Sequence, residues 1–318
     1  MFTLAHLSDP HLGPLPRPRF SELFSKRLLG YTNWRVRRRG RHDMTCLAAL
    51  TQDLLAQNCD HIAVTGDLAV IGLDAEFTPA RAFLEKLGSP EHVSAIPGNH
   101  DAYVSGTADH PQLHWAEYMA GDSQRTEGSP FFPYVRRRGK VALIGLSSAV
   151  PTGFHSAEGR LGKEQCYRLT EILKELDGEG MFRVVMIHHP PSGTGEVFRR
   201  LTDARRIKRA LLRAGAELVL HGHNHRNEFI HLLGRSGPVP VIGVPSASIG
   251  PTNESTPGAY NIYRIDGEKG AWTCEMVQRG YAHGDLDIRE RSRTVLWGAG
   301  AGQTIAHPGL TVEPATAE

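Results

Sequence analysis

A chain of 318 residues with 40% hydrophobic and 22% charged residues is long enough to bury a sizeable core and has the make-up of a globular protein. Its formal charge of +2 is too small to argue for a nucleic-acid partner. The cysteines, Cys46, Cys59, Cys166 and Cys274, are scattered without a CxxC pair, which excludes a disulfide framework and a thiolate zinc site and suits a reducing cytoplasm.

Met1 runs straight into a strand-like segment, and no run approaches the roughly 18 apolar residues of a membrane span, so neither export nor spanning is expected. Phe2 to Ser8 predicts a buried strand that ends in Asp9-Pro10-His11. Because alternate side chains of an extended segment share a face, Asp9 and His11 can point at one place. A proline-rich stretch then leads to Phe20, Leu23, Phe24, Leu28, Leu29 and Trp34, interleaved with Lys26, Arg27, Arg35, Arg37, Arg38, Arg39 and Arg41. Glu22 is the single acid there. Three roles fit this basic insertion over about 17–41: a helix packed on the domain by its apolar side, a lid over an anionic ligand, or a contact with an anionic membrane surface.

Helical spacing over Asp43 to Gln57 precedes a short strand, His61 to Thr65, that ends in Gly66-Asp67. A helix from Asp74 to Leu87 leads to a strand over Glu91 to Ile96, broken by Pro97-Gly98 and followed by Asn99-His100-Asp101. Then come a helical stretch, His110 to Ala120, a polar loop, a strand over Val141 to Leu146 and an amphipathic helix over Gly162 to Leu176. The strand Arg183 to Ile187 breaks at His188-His189-Pro190-Pro191. A basic helix, Asp203 to Ala214, precedes the strand Glu217 to Leu220, which terminates in His221-Gly222-His223-Asn224-His225. Alternation again lets His223 and His225 face the same way. Short strands from Glu228 to Val277 predict antiparallel closure of one sheet edge. The expected organisation is one α/β domain over 1–283 with a mobile tail over 284–318.

The strand ends thus supply Asp9, His11, Asp67, Asn99, His100, His188, His223 and His225, which are oxygen and imidazole donors enough for two divalent ions. A carboxylate must bridge such a pair, whose ions sit roughly 3.5–4 Å apart, and Asp67 is the only acid at its strand end. The blocks Asp9-Pro10-His11, Gly66-Asp67, Gly98-Asn99-His100-Asp101, His188 before His189-Pro190, and Gly222-His223-Asn224-His225 occur together in this order. The ordered set resembles the calcineurin-like metallophosphoesterase superfamily over about residues 3–265. Thr65-Gly66-Asp67-Leu68, Gly72, Glu76-Phe77 and His188-His189-Pro190-Pro191 look most like its class III cyclic nucleotide phosphodiesterase branch.

The resemblance implies a four-layer α/β/β/α sandwich of two mixed sheets. It implies Asp9, His11, Asp67 and His225 on one ion and Asp67, Asn99, His188 and His223 on the other, with a bridging hydroxide as nucleophile. His100 is then no ligand but the residue that binds a phosphoryl oxygen or protonates the leaving group, with Asp101 orienting it. His189 and His221 adjoin these ligands and stand as alternatives to their neighbours, although Gly222 before His223 favours the later pair; the remaining histidines, His42 among them, read as structural or exposed. Manganese or iron is expected, with zinc compatible.

A phosphodiesterase acting on a small soluble phosphate ester such as a cyclic nucleotide is the expected function, located in the cytoplasm. The alternative is a hydrolase of lipid-linked phosphate or pyrophosphate, like the UDP-2,3-diacylglucosamine pyrophosphatases, working peripherally at the inner membrane face. A nuclease would want a basic groove with stacking aromatics, and no such pattern is visible. A binding scaffold without chemistry is the non-enzyme alternative, disfavoured because every ligand position is filled. The sequence leaves the oligomeric state open.

Overall fold

The computed structural model describes residues 1–306 except 39, 124–129, 193–196, 253–255 and 303. In the first half, β1 (Phe2–Leu7), α1 (Arg27–Asn33), α2 (Met44–Ala56), β2 (His61–Val64), α3 (Asp74–Leu87), β3 (Val93–Ala95), α4 (His110–Trp115), β4 (Tyr134–Arg138) and β5 (Val141–Gly145) follow one another. The second half holds α5 (Lys163–Gly178), β6 (Phe182–Met186), α6 (Ala204–Ala214), β7 (Leu218–His221), β8 (Glu228–Leu233), β9 (Pro238–Gly243), β10 (Ala259–Asp266), β11 (Thr273–Ala282), β12 (Asp285–Trp297) and β13 (Thr304–Ala306).

Two mixed sheets result. The first runs β13-β12-β11-β10-β1-β2-β3, with β1, β2 and β3 parallel and the other strands antiparallel. The second runs β4-β5-β6-β7-β9-β8, where β5, β6, β7 and β9 are parallel and antiparallel strands form both edges. Strand alternation builds the layers: Leu143, Val184, Met186, Leu218 and Leu220 face the central core with Leu4, Val64 and Val93. Their sequence neighbours Ala142, Ile144, Val185 and Val219 turn outward onto Leu169 and Leu173 of α5 and Ile207 and Leu211 of α6. Covered on both faces, these strands read as unbroken apolar runs. Leu47 and Leu50 of α2 and Phe77 and Leu84 of α3 close the other side, giving the expected four-layer α/β/β/α arrangement.

The C-terminal half departs from expectation in two places. The strands after Glu228 do not close one edge: β8 and β9 join the second sheet, while β10 and β11 extend the first. The mobile tail expected from 284 is instead β12, paired along most of β11, followed by β13; residues 307–318 lie outside the described residues. The buried positions of β12 include Arg291, Ser292 and Thr294, so no apolar alternation shows in its sequence. The Arg291 guanidinium instead donates to the Gly280 carbonyl at 2.8 Å, and the domain continues past 283. Arginine hides β4 in the same way: buried Arg136 donates to carbonyls of Ala120, Val93 and Glu117.

His6 and His61 are fully buried, with Nε2 against Thr65 Oγ1 (2.9 Å) and Ser94 Oγ (2.8 Å). Burial, aided by His221 near His6 and Arg138 near His61, holds both imidazoles down to about 3. The unfolded chain therefore takes up protons first, at the ordinary value of 6.5, and stability is lost as pH falls from there toward 3. Each histidine contributes about 1.4 kcal/mol per pH unit to that slope. Urea unfolding at stepped pH should accordingly show a shallower acid decline for His61→Gln than for the parent protein.

Candidate metal centre

The C-terminal ends of the parallel strands of both sheets meet at one edge of the sandwich, the place where open α/β sheets collect ligands. Asp9 and His11 follow β1, Asp67 follows β2, Asn99 and His100 follow β3, His188 follows β6, and His223 and His225 follow β7. The paired donors do not share a face through strand alternation, because the strands have already ended. Instead Asp9, His11, Asp67, His223 and His225 all have positive φ, from 39° to 69°. L-residues adopt that region at a cost, and among the described residues only Asn58 and His155 of the other non-glycine positions do so. The tight turns swing each side chain back over its strand end.

Close approach of the loops requires glycine at two points. A Cβ on Gly98 would lie 2.5 Å from the Asp67 amide nitrogen and 2.8 Å from its Cγ, and one on Gly222 would lie 2.9 Å from Ser8 Cβ and against the Asp9 carboxylate.

The donors form two abutting groups. In the first, Asp9, His11, Asp67 and His225 each place a ligand atom within 4.8 Å of the others; His225 Nε2 is 3.1 Å from Asp9 Oδ1 and 3.2 Å from His11 Nε2. In the second, Asn99 Oδ1 lies 3.2 Å from His188 Nε2 and 2.9 Å from His223 Nδ1. Asp67 Oδ2 belongs to both, at 3.8 Å from His11 Nε2 and 3.3 Å from His188 Nε2. All but His225 are buried.

Where the ring protons go shows that this set fits cations. His11 Nδ1 donates to the Ala69 carbonyl (3.2 Å), His188 Nδ1 to Thr65 (2.7 Å) and His223 Nε2 to Arg199 (2.8 Å). In neutral rings this leaves His188 Nε2 and His223 Nδ1 as lone pairs turned toward the Asn99 oxygen, and His11 Nε2 as one turned toward His225 Nε2 at 3.2 Å. Burial, with neighbouring histidines, keeps His11 and His223 well below the usual imidazole range. Burial also pushes His188 down, but the adjoining Asp67 carboxylate pushes harder and raises it to about 9. Asp67 is held well below the usual carboxylate range against its own burial, chiefly by His188 and His100. The positive charge that the Asp67 carboxylate draws onto His188, amid converging buried oxygens and imidazole nitrogens, is the charge that a pair of cations supplies in its place.

Asp101 does not sit where the sequence suggested. Its carboxylate receives the backbone N–H groups of Asp67, Ala69 and Gly98, each at 2.8 Å, so it ties the Gly66-Asp67 loop to the Gly98-Asn99 loop. His100 Nδ1 donates to the Val70 carbonyl instead, its backbone N–H donates to Asp67 Oδ1 at 2.8 Å, and its ring stacks on Tyr103. The Val70–Leu73 turn beneath it is held by buried Glu76, which accepts the N–H groups of Val70, Ile71 and Leu73. Arg27 of the basic insertion also grips it, through the carbonyls of Ile71 and Gly72.

His189 and His221 face elsewhere. His189 is occupied by Ser148 Oγ (2.8 Å) and the Ala157 carbonyl (3.0 Å), and His221 Nε2 lies 3.4 Å from Glu228. His42, expected to be structural or exposed, is structural and lies against the site. It is buried between Trp34, on which it stacks, and His11, whose ring is 4.7 Å away, with Nδ1 2.7 Å from Ser248 Oγ. No motif flags it, since only the fold of the insertion brings it there. Beside it opens a cavity of about 270 Å³ lined by Arg41, His42, Arg199, Asn224, His225 and Arg226 among others.

The sequence over residues 2–227 matches the family model for calcineurin-like phosphoesterases. The chain belongs to that family. The family uses a dinuclear metal centre, and the two donor groups sharing Asp67 are the candidate for it here. Among solved structures, a dimetal phosphatase from Danio rerio is similar in fold, with a TM-score of 0.54 at 12% identity, covering 91% of this chain and 98% of that one. Purple acid phosphatase PPD1 from yellow lupin (Lupinus luteus) seeds gives a TM-score of 0.55 at 11% identity, over 91% of this chain and 52% of the plant protein. No curated protein matches the chain.

Gly98→Ala tests how tightly the donor groups are set, because the added methyl displaces Asp67 while removing no donor atom. Elemental analysis of the purified variant should find most of the parent's bound metal gone.

Proposed function

We propose that the protein is a dinuclear metal-dependent phosphoesterase, with Asp9, His11, Asp67 and His225 holding one ion and Asp67, Asn99, His188 and His223 the other. The observation that carries this is the shared Asp67 oxygen between two sets of inward lone pairs. The mixed oxygen and imidazole donors suit manganese or iron first and accept zinc. When bound, the ions supply positive charge that screens an anionic ester and lowers the pKa of water. The chain's own residues do the rest.

His100 donates from Nδ1 to Val70, and Nε2 is the ring atom that contacts a phosphoryl oxygen or hands a proton to the departing alkoxide. Tyr103 and the edge of the His11 ring hold it in that attitude. Asp101, assigned no direct part in proton transfer, keeps the Asp67 and Asn99 loops at their separation. A scaffold without chemistry would keep the same buried acceptors with nothing to satisfy them.

The leading substrate reading is a phosphodiester of a small soluble molecule such as a cyclic nucleotide, hydrolysed in the cytoplasm, where the free thiols Cys46, Cys59, Cys166 and Cys274 are at home. A second reading is favoured by Arg41, Arg199 and Arg226 around the adjoining cavity. Three guanidinium groups beside the site suit an ester with further negative charge, as in a lipid-linked phosphate or pyrophosphate. Assaying cyclic nucleotides, aryl phosphomonoesters and diesters, and a UDP-linked diacyl sugar with added manganese separates these readings. Turnover of none would sink the hydrolase proposal.

Asp67→Ala should abolish turnover together with most bound metal, since it removes the shared ligand. His100→Ala should lower kcat by roughly 100- to 10,000-fold with metal content retained. Metal loss in His100→Ala as deep as in Asp67→Ala would show that His100 is a ligand.

A further inference from the structure

The basic insertion is packed on the domain, but by the wrong face for an ordinary amphipathic helix. Its inner side consists of Arg27, Gly30 and Trp34. Trp34 is buried with Val70, Ile71, Leu73 and Tyr103, and a Cβ on Gly30 would meet the Tyr103 hydroxyl at 2.5 Å. The side chains that an apolar core-facing stripe would use are turned to solvent: Phe20, Phe24 and Val36 are each 81% exposed and Leu28 49%. The rings of Phe20 and Phe24 meet edge to face, 5.5 Å between centroids, so they form one apolar knob.

The patch continues beyond the insertion. Lys26 Nζ donates to Thr152 Oγ1 and to the Ser156 carbonyl, which brings exposed Phe154 alongside, and the Ala157 amide donates to the Phe198 carbonyl at 2.7 Å, which brings exposed Phe198. Arg17, Arg19 and Arg35 are exposed among these apolar groups. The segment's one acid, Glu22, accepts the Arg19 backbone N–H at 2.6 Å.

We propose that this face, centred on Phe20 and Phe24, docks on an anionic phospholipid bilayer. Exposed aromatic and aliphatic groups clustered in this way mark an interaction site, and a cationic surround in which Glu22 is the segment's one acid is complementary to negatively charged headgroups. The two phenylalanines enter the boundary between headgroups and acyl chains while the arginines remain among the phosphates. Docked this way, the protein brings the rim of its metal centre to the membrane, because Arg27 and Trp34 attach the opposite face of the same segment to the Val70–Leu73 turn.

The test uses the full chain and vesicles of phosphatidylcholine with phosphatidylglycerol, compared with phosphatidylcholine alone. Co-sedimentation should occur with the anionic vesicles only and should weaken as salt rises past the point where the Debye length falls below about 8 Å. The double variant Phe20→Ser, Phe24→Ser should bind at least about tenfold more weakly with an unchanged unfolding midpoint. Equal binding of both vesicle types, undiminished binding by the variant, or occupation of the patch by a second copy of the chain, seen as a dimer that the variant abolishes, would overturn the proposal. Binding is read without turnover, so the result is independent of whether the hydrolase reading holds.

Discussion

The Asp67 carboxylate is the group on which the rest of the centre depends. It is buried, it touches donors from both sheets, and neither its charge nor its position would persist without the groups around it. His188 reaches it from the second sheet, while Asp101 fixes its backbone from the neighbouring loop of the first. A lone buried carboxylate would protonate or turn away; surrounded in this manner it stays anionic and in place. The tight turns, the two crowded glycines and the left-handed backbone at five donor positions all serve to bring partners to this one side chain.

This centre forms only when the two sheets are packed. Asp9, His11, Asp67 and Asn99 ride on the first sheet, and His188, His223 and His225 on the second. The apolar alternation that presses Leu143, Val184 and Leu218 against Leu4 and Val64 is therefore also what sets the spacing between donor groups. Packing of this density tolerates little error, so a cavity opened between the sheets would be felt as a change in donor geometry.

Much of this was legible in the sequence because short apolar strands broken by Gly, Pro and His announce both the strand and its loop. The ordered set of such breaks named the residues that converge around Asp67, and the alternating helices gave the layers. What escaped notice was encoded in polar side chains buried by tertiary contacts. Arg136 in β4 and Arg291 in β12 occupy inward positions by donating to carbonyls, and Ser292 and Thr294 are buried beside Arg291, which no apolar period reveals. The place of His42 beside the centre was hidden for a related reason: it rests on a stack with Trp34 and an edge against His11. The converging of Asp9 with His11 was expected from strand alternation and is achieved by backbone turns, a case where the right neighbours were named by the wrong geometry.

The docking of the insertion has a thermodynamic corollary. Arg27 clasps the turn whose Val70 carbonyl orients His100, and Trp34 leans on the ring that leans on His11. Surface and centre are thus two ends of one packed unit, and linkage between two ends of such a unit runs both ways. A ligand that shifted Arg27 from outside would reach His100 through one turn of backbone, the Val70–Leu73 turn.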